Sequence, residues 1–415
     1  MKICFLADAR SPIAKNWISY FVHGGHEVSV ISSYASSANE ISGAQIFELP
    51  LGVASALPGS AALRAFDSKI VRNANRLRQG LPKRWNLQVV TLFGLQDVRR
   101  KTAQAAAIID RIRPDLVHAM RLPFEGLLAS QAVRDRPLII STWGNDFTLF
   151  SSHFGKINQL TRAALGRTDA IHCDCRRDLR LAIDLGFSPM KPSRVLPGGG
   201  GIQTSFYFDL PLDPSLLSRF GILADAPLVV NPRGFRGYVR QDTFFRSVPQ
   251  VLQIVPRTIF LCVDMQENAI AKSWVRKLSI SNSVRLLPRL SREELAMLFR
   301  ASEVSVSPSL HDGTPNTLLE SMAAGAFPIA GDLDSIREWI ADGENGLLFD
   351  PREPSALANC ITRALGDRAL RDRARERNRA FIRDRANYDV VMQEAESLYR
   401  DVIRDYQEGR SKVPN

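Results

Sequence analysis

Short apolar runs alternate with amphipathic stretches along most of the chain, and no other feature limits the fold so strongly. Lys2 to Ala7 reads as a strand, Ala14 to His23 as a helix and Glu27 to Ser32 as a second strand, with Gly24-Gly25 as the turn between helix and strand. The alternation returns with a helix from Arg100 to Arg113 and strands at Leu116 to Ala119, Leu138 to Thr142, Ala170 to Cys173 and Arg194 to Leu196. Helical patterns near Phe124 to Val133, Lys156 to Leu165 and Arg176 to Leu185 separate them. Strands that alternate with helices form a parallel sheet covered on both faces.

Gly198-Gly199-Gly200-Gly201 interrupts the pattern, and the stretch to about Asp225 reads as a linker. A second series follows, with strands Leu228 to Asn231, Ile259 to Val263, Val284 to Leu287, Val304 to Ser307 and Ala326 to Ala330. Its helices are Thr243 to Ile254, Ala269 to Ser279, Arg292 to Arg300 and Asn316 to Ala324, with another from Ser335 to Ala341. A chain of 415 residues has room for two such domains. The expected division is 1–205, 206–370 and a helical segment 371–415 that crosses back to the first domain. From Asp367 to Asp405 the segment reads as long charged helix. Two doubly wound units place the expected site in the cleft between them, beyond the carboxyl ends of the strands.

Lys and Arg total 54 against 43 Asp and Glu, a net charge of +11, which calls for an anionic partner. Nucleotide phosphates and an acidic membrane surface both fit; nucleic acid is set aside because no reader motif appears. Five cysteines without zinc-ligand spacing read as reduced cytosolic thiols. The N-terminal apolar run breaks at Asp8, too early for a signal peptide. No run approaches the ~18 apolar residues of a membrane span, so any membrane contact is expected to be peripheral.

The segment His311-Asp312-Gly313-Thr314-Pro315-Asn316-Thr317-Leu318-Leu319-Glu320 follows one strand and opens a helix. Thr314 suits an N-cap and Pro315 the first helical position. The amides of Asn316 and Thr317 then face outward, where the helix dipole favours phosphate, and Gly313 lets a ligand approach the backbone. Glu320 suits a vicinal diol and Asp312 sugar hydroxyls. The plain alternative is a capped helix with both acids solvated. Arg233-Gly234-Phe235-Arg236-Gly237-Tyr238-Val239-Arg240 leaves a strand of the same sheet and reads as a diphosphate clamp or a basic surface loop.

In the first domain His118 ends a strand, as a satisfied core residue or a reacting one, and Trp143 and Asp146 follow the next strand as packing and capping groups or as sugar contacts. Residues 64–101 interleave basic and apolar side chains, which suits either a solvated helix face or an anionic membrane surface. Asp332-Leu333-Asp334 has the spacing of a metal-binding pair, but a helix cap at Asp334 is simpler and no metal is expected.

Val304 to Ser309, Asp312 to Asn316, Leu319 to Ala323 and Gly325 together resemble the E-x7-E region of retaining glycosyltransferases of family 4, which have the GT-B fold. Gly25 to Val28, Pro114 to His118, Trp143 to Asp146, Leu196-Pro197 and Asn345 to Leu348 extend the resemblance over most of the chain. It implies a GT-B architecture of two Rossmann-like domains and a nucleotide diphosphate sugar as substrate, with no cofactor and no metal. The donor would be held by Arg240, Gly313, Thr314, Asn316, Thr317 and Glu320. Asp312, Arg233, Arg236 and His118 would form the catalytic set, with Asp146 and Trp143 contacting acceptor or sugar. Asp312 stands where the family has its first Glu, Arg240 where a Lys is usual and Trp143 where many relatives have His; the leading Arg is Arg233 or Arg236. The implied partners are a saccharide or lipid-linked acceptor and, through 64–101, the inner face of the cell membrane. The implied setting is polysaccharide, lipopolysaccharide or glycolipid assembly. A non-catalytic nucleotide-sugar-binding scaffold subunit and a GT-B nucleotide-sugar epimerase are the alternatives.

Overall fold

The computed structural model describes residues 1–51, 83–151, 155–211, 214–222 and 226–411. The chain divides into two compact units, Met1–Gly200 with Met392–Asn415, and Gly201–Val391.

The first unit is built on a seven-stranded sheet, β1 (Lys2–Ala7), β2 (Glu27–Ser32), β3 (Gln45–Glu48), β4 (Leu116–Ala119), β5 (Leu138–Thr142), β6 (Ala170–Cys173) and β7 (Ser193–Val195), ordered β3-β2-β1-β4-β5-β6-β7. Every pairing is parallel. Its helices are α1 (Pro12–His23), α2 (Lys83–Ile112), α3 (Leu127–Ala132), α4 (Gly155–Arg167) and α5 (Arg176–Asp184). β4, β5 and β6 are buried at every position, as continuous apolar runs must be in a sheet covered on both faces.

The second unit opens with α6 (Thr204–Phe208) and α7 (Pro214–Arg219). Its six parallel strands are β8 (Leu228–Asn231), β9 (Ile259–Cys262), β10 (Val284–Leu286), β11 (Val304–Ser307), β12 (Phe327–Gly331) and β13 (Leu347–Phe349), ordered β10-β9-β8-β11-β12-β13. Between and after them lie α8 (Gln241–Ile254), α9 (Ala269–Lys277), α10 (Arg292–Ala301), α11 (Asn316–Ala324), α12 (Pro354–Gly366), α13 (Arg368–Arg385) and α14 (Tyr388–Ser411), the last continuing past the division between units. Each sheet reverses its order once, between β1 and β4 and between β8 and β11, and open α/β sheets bind ligands at the strand carboxyl ends beside such a reversal.

The structure corrects three sequence expectations. Residues 334–339 form successive turns, not a helix. Asp332 instead grips Arg337 through both oxygens at 2.6 Å, so neither acid of the Asp332/Asp334 pair caps a helix. The long C-terminal helix is two helices: Asn387 accepts from the amides of Asp389 (3.0 Å) and Val390 (3.3 Å), starting α14 afresh. The edge strands β3 and β13 were not foreseen. Where the linker begins, Gly201 has φ +87° and faces the Ala386 carbonyl, which leaves no room for a Cβ.

Candidate functional site

β8 ends at Asn231, whose wholly buried side chain accepts from the Arg233 amide (3.0 Å) and donates to Gln241 (2.8 Å). Gln241 closes the loop by donating to the Arg233 carbonyl. The loop is thereby clamped, and its guanidinium has little freedom. Arg233 donates to Asp312 at 2.7 Å and to the Thr317 hydroxyl at 3.4 Å, with 9 % and 12 % of the Arg233 and Asp312 side chains exposed. Two charges so withdrawn from water are tolerable only as a bonded pair. Arg233 Nε is buried and has no acceptor among the described residues.

Backbone contacts hold the arginine loop against the Asp312 loop. Val239 and Ser309 form an antiparallel bridge, Arg240 N donates to Pro308 (2.8 Å) and Leu310 N to Tyr238 (2.8 Å). Arg236 donates to the Tyr238 hydroxyl at 3.3 Å, and the charges of Asp312 and Asp264 act on it. At Gly234 a Cβ would sit 3.2 Å from Asp264 Oδ2, so a larger residue would need that carboxylate to give way slightly. Arg240 turns its guanidinium back onto Asp242 in the first turn of α8, with bonds of 2.8 and 2.7 Å. A fork-to-fork pair two residues away is closer than any more distant phosphate site.

On the other loop, Thr314 is not the helix cap. Its hydroxyl accepts from Trp339 Nε1 at 3.0 Å, and Pro315 takes the cap position with extended dihedrals. The shift of one residue makes Asn316 and Thr317 the first two helical residues, whose amides have no intrahelical acceptor. Gly313 is buried in the same loop, and the Asp312 carbonyl is held by Ser335 Oγ at 2.7 Å. Gly325, at φ +99°, ends α11 in the left-handed conformation that helix termini favour.

Glu320 is half-buried on α11. Burial raises its carboxyl above the ordinary carboxylate value, against the charge of Arg292 and a hydrogen bond from Tyr207. Neither Tyr207 nor Arg292 was foreseen from the sequence. Arg233, Arg236, Asp312, Thr317 and Glu320 thus lie on or beside loops at the β8/β11 reversal, the place where a doubly wound sheet binds ligands.

In the first unit the structure buries two of the three candidates. His118 is 0 % exposed; one ring nitrogen meets the Tyr399 hydroxyl and the other Ser141 Oγ at 2.7 Å. Ser141 in turn meets His172 at 2.8 Å. Burial holds His118 well below the usual imidazole value, and both ring nitrogens are bonded within the core. Asp146, 1 % exposed, accepts from Arg121 Nε (3.0 Å), Leu122 N (3.3 Å) and Trp143 N (3.0 Å). It therefore fastens its own loop. Trp143 is half-buried with the Arg121 guanidinium 5.9 Å from its ring centre.

One group near the β1/β4 reversal was missed altogether. Phe124 has φ +66° and ψ −66°, a strained conformation for a non-glycine residue. The next residue, Glu125, is buried, accepts from Ser33 Oγ at 2.5 Å, and is pushed by burial from 4.5 to about 7. Between those two values the folded chain keeps a proton that the unfolded chain has lost, so stability falls as pH rises through the window. Glu125→Gln is therefore expected to stabilise the protein near pH 8 by about 3 kcal/mol and to change nothing near pH 4; thermal unfolding at both pH values checks it.

Among the described residues, Asp174, Cys175 and Asp178 place potential metal ligands within 4.8 Å of one another. Asp178 already takes two bonds from Arg177 (2.9 and 2.7 Å), and Asp174 takes the Gly144 amide (3.1 Å). The basic segment 64–101 falls largely outside the described residues; α2 begins at Lys83. No described helix is long and apolar enough to cross a membrane.

The comparisons with known proteins bear on this geometry. The family model "Glycosyl transferases group 1" matches residues 219–381, and "Glycosyl transferase 4-like" matches 86–175, together more than half of the chain. The chain belongs to the group 1, family-4-like glycosyltransferases. Arg233, Asp312 and Glu320 all lie inside the first match. This glycosyltransferase is 23 % identical over 313 residues to the N-acetyl-alpha-D-glucosaminyl L-malate synthase of Bacillus anthracis, covering 74 % of this chain and 80 % of that one. It is 26 % identical over 254 residues to the lipopolysaccharide core biosynthesis glycosyltransferase LpsE of Rhizobium meliloti, covering 59 % and 71 %. The crystal structure of Anabaena HepE in complex with UDP-glucose superimposes with a TM-score of 0.68 at 17 % identity, over 96 % of this chain and 99 % of that one. The two parallel sheets are accordingly those of a GT-B glycosyltransferase, an enzyme that takes its sugar from a nucleotide-sugar donor.

Proposed function

We propose that this enzyme moves a sugar from a nucleoside diphosphate to an acceptor hydroxyl with retention and without a metal ion, in polysaccharide, lipopolysaccharide or glycolipid assembly. The observation that carries the reading is Arg233, held between Asp312 and Thr317 at the first turn of α11 with its Nε buried and, among the described residues, without an acceptor. A diphosphate seated there meets Arg233, Arg236 and the amides of Asn316 and Thr317. Negative charge grows on the leaving phosphate as the glycosidic bond breaks, and donors fixed in advance favour that charge most in the transition state. Asp312 accepts from the donor-sugar hydroxyls, and Glu320 accepts from the ribose. The departing phosphate oxygen takes the acceptor proton on the same face, so no side-chain nucleophile is needed.

The names of the relatives support a saccharide or small hydroxyl compound as acceptor. A cytoplasmic site of action belongs to the same reading, since all five cysteines are free thiols and thiols stay reduced there. Thermal-shift screening against UDP-, GDP- and ADP-sugars tests it. One class is expected to raise the melting temperature, and proton NMR of the product is expected to show the anomeric configuration of the donor. Activity that survives EDTA supports the metal-free mechanism, and inversion or loss in EDTA overturns it.

A further inference from the structure

A cavity of about 320 Å³ opens in the first unit at the amino ends of β4 and β5, the opposite end of those strands from the loops described above. The turn from α2 into β4, the turn from α3 into β5 and the last turns of α14 enclose it. Arg113, the first residue after α2, has φ +51°, the left-handed conformation in which helix ends favour glycine. Its exposed guanidinium lines the cavity and makes no hydrogen bond or ion pair with another described residue. Pro114 and Pro137 are buried and give the cavity rigid apolar walls. Asp115 accepts from the Lys2 amide at 2.7 Å, and Arg136 donates to the Asp135 carbonyl at 3.0 Å, so polar groups of both turns are held in place. Ile403 and Tyr406 stand three residues apart on α14 and so share one helix face.

We propose that this cavity is a second saccharide site, which holds a neutral sugar unit without reacting with it. The inference stands apart from the reading of the donor loops. Charge excludes the simpler ligands: Arg113 and Arg136 cancel Asp115 and Asp135, whereas a phosphate site needs an excess of positive charge. The polar groups of the lining suit vicinal hydroxyls, because each guanidinium, each carboxylate and the Gln407 amide presents polar atoms side by side. Tyr406 adds an apolar ring with a polar tip, which with the two prolines matches a pyranose, whose ring faces carry C–H bonds and whose rim carries hydroxyls. The volume lies at the lower end of the range for small-molecule sites. An arginine where the backbone favours glycine is the unfavourable choice locally, and the cavity is where its side chain is used. Doubly wound sheets bind their substrates at the carboxyl ends of the strands, so a sugar at the amino ends is anchored there, as one unit of a longer chain would be.

The test is an NMR titration of the full chain. Saturation transfer follows glucose, galactose, mannose, N-acetylglucosamine and the disaccharides maltose, lactose and chitobiose, and the phosphorus line width follows inorganic phosphate. At least one sugar is expected to bind the wild type, and to bind Arg233→Ala equally well. Arg113→Gly is expected to weaken that sugar about tenfold without lowering the melting temperature, since glycine suits the left-handed angle. Tyr406→Ala is expected to abolish binding. The proposal is overturned if no sugar of the panel binds, or if Arg113→Gly, still folded, binds as the wild type does. Loss of the sugar in Arg233→Ala would place it at the donor loops and overturn the second site while leaving the donor reading intact. Phosphate that binds in place of the sugar and is lost in Arg113→Gly would make the cavity an anion site and overturn the ligand class.

Discussion

Arg233→Ala is expected to lower turnover of the sugar donor by about 100- to 1,000-fold, the range found when one preorganised donor is removed from a developing negative charge. Its place explains the size of the effect. The side chain is 9 % exposed, bonded to Asp312 and Thr317, and clamped at its backbone by Asn231 and Gln241, so it is in position before the diphosphate arrives. Removing it also takes from the buried Asp312 carboxylate the guanidinium bonded to it, which destabilises the loop. Arg233→Ala combined with Asp312→Asn separates the two effects. The double variant is expected to recover melting temperature but not turnover. Arg236→Ala should cost less than Arg233→Ala, because among the described residues Arg236 is held only by the Tyr238 hydroxyl at 3.3 Å.

Glu320→Ala is expected to raise the dissociation constant for the nucleoside diphosphate by about 10- to 100-fold, the equivalent of one or two hydrogen bonds to a charged acceptor. The pH dependence has a definite sign. Burial lifts the carboxyl above its ordinary value, so acidification protonates Glu320 and turns an acceptor into a donor before an exposed glutamate would respond. Wild-type affinity should fall as pH is lowered through that raised value, whereas Glu320→Gln should bind weakly and with less dependence on pH. Titration calorimetry across the acidic range checks both.

The interior strands were legible because burial on both faces writes them as short runs rich in apolar residues and free of charge: Leu116–Ala119, Leu138–Thr142, Ala170–Cys173, Leu228–Asn231 and Val304–Ser307 appear in the structure as they read. Gln45–Glu48 carries no such run, being partly exposed at the edge of its sheet, and Leu347–Phe349 is only three residues long. The juxtaposition of the arginine loop with the Asp312 loop was legible because both leave adjacent strands at their carboxyl ends. The direction in which each polar side chain then turns was not. Asp146 at a strand end and Arg240 at a helix start read identically whether they face a ligand or a neighbour, and here they face Arg121 and Asp242. Tyr207 was hidden for a different reason: a helix of five residues has no period to detect.

The most direct measurement compares UDP with uridine on the wild type and Arg233→Ala by calorimetry, or the matching pair of another base if screening selects it. If guanidinium and helix-start amides converge on the diphosphate, the variant binds uridine as the wild type does and loses most of its extra affinity for UDP. Wild-type affinity for UDP in the alanine variant would contradict the account.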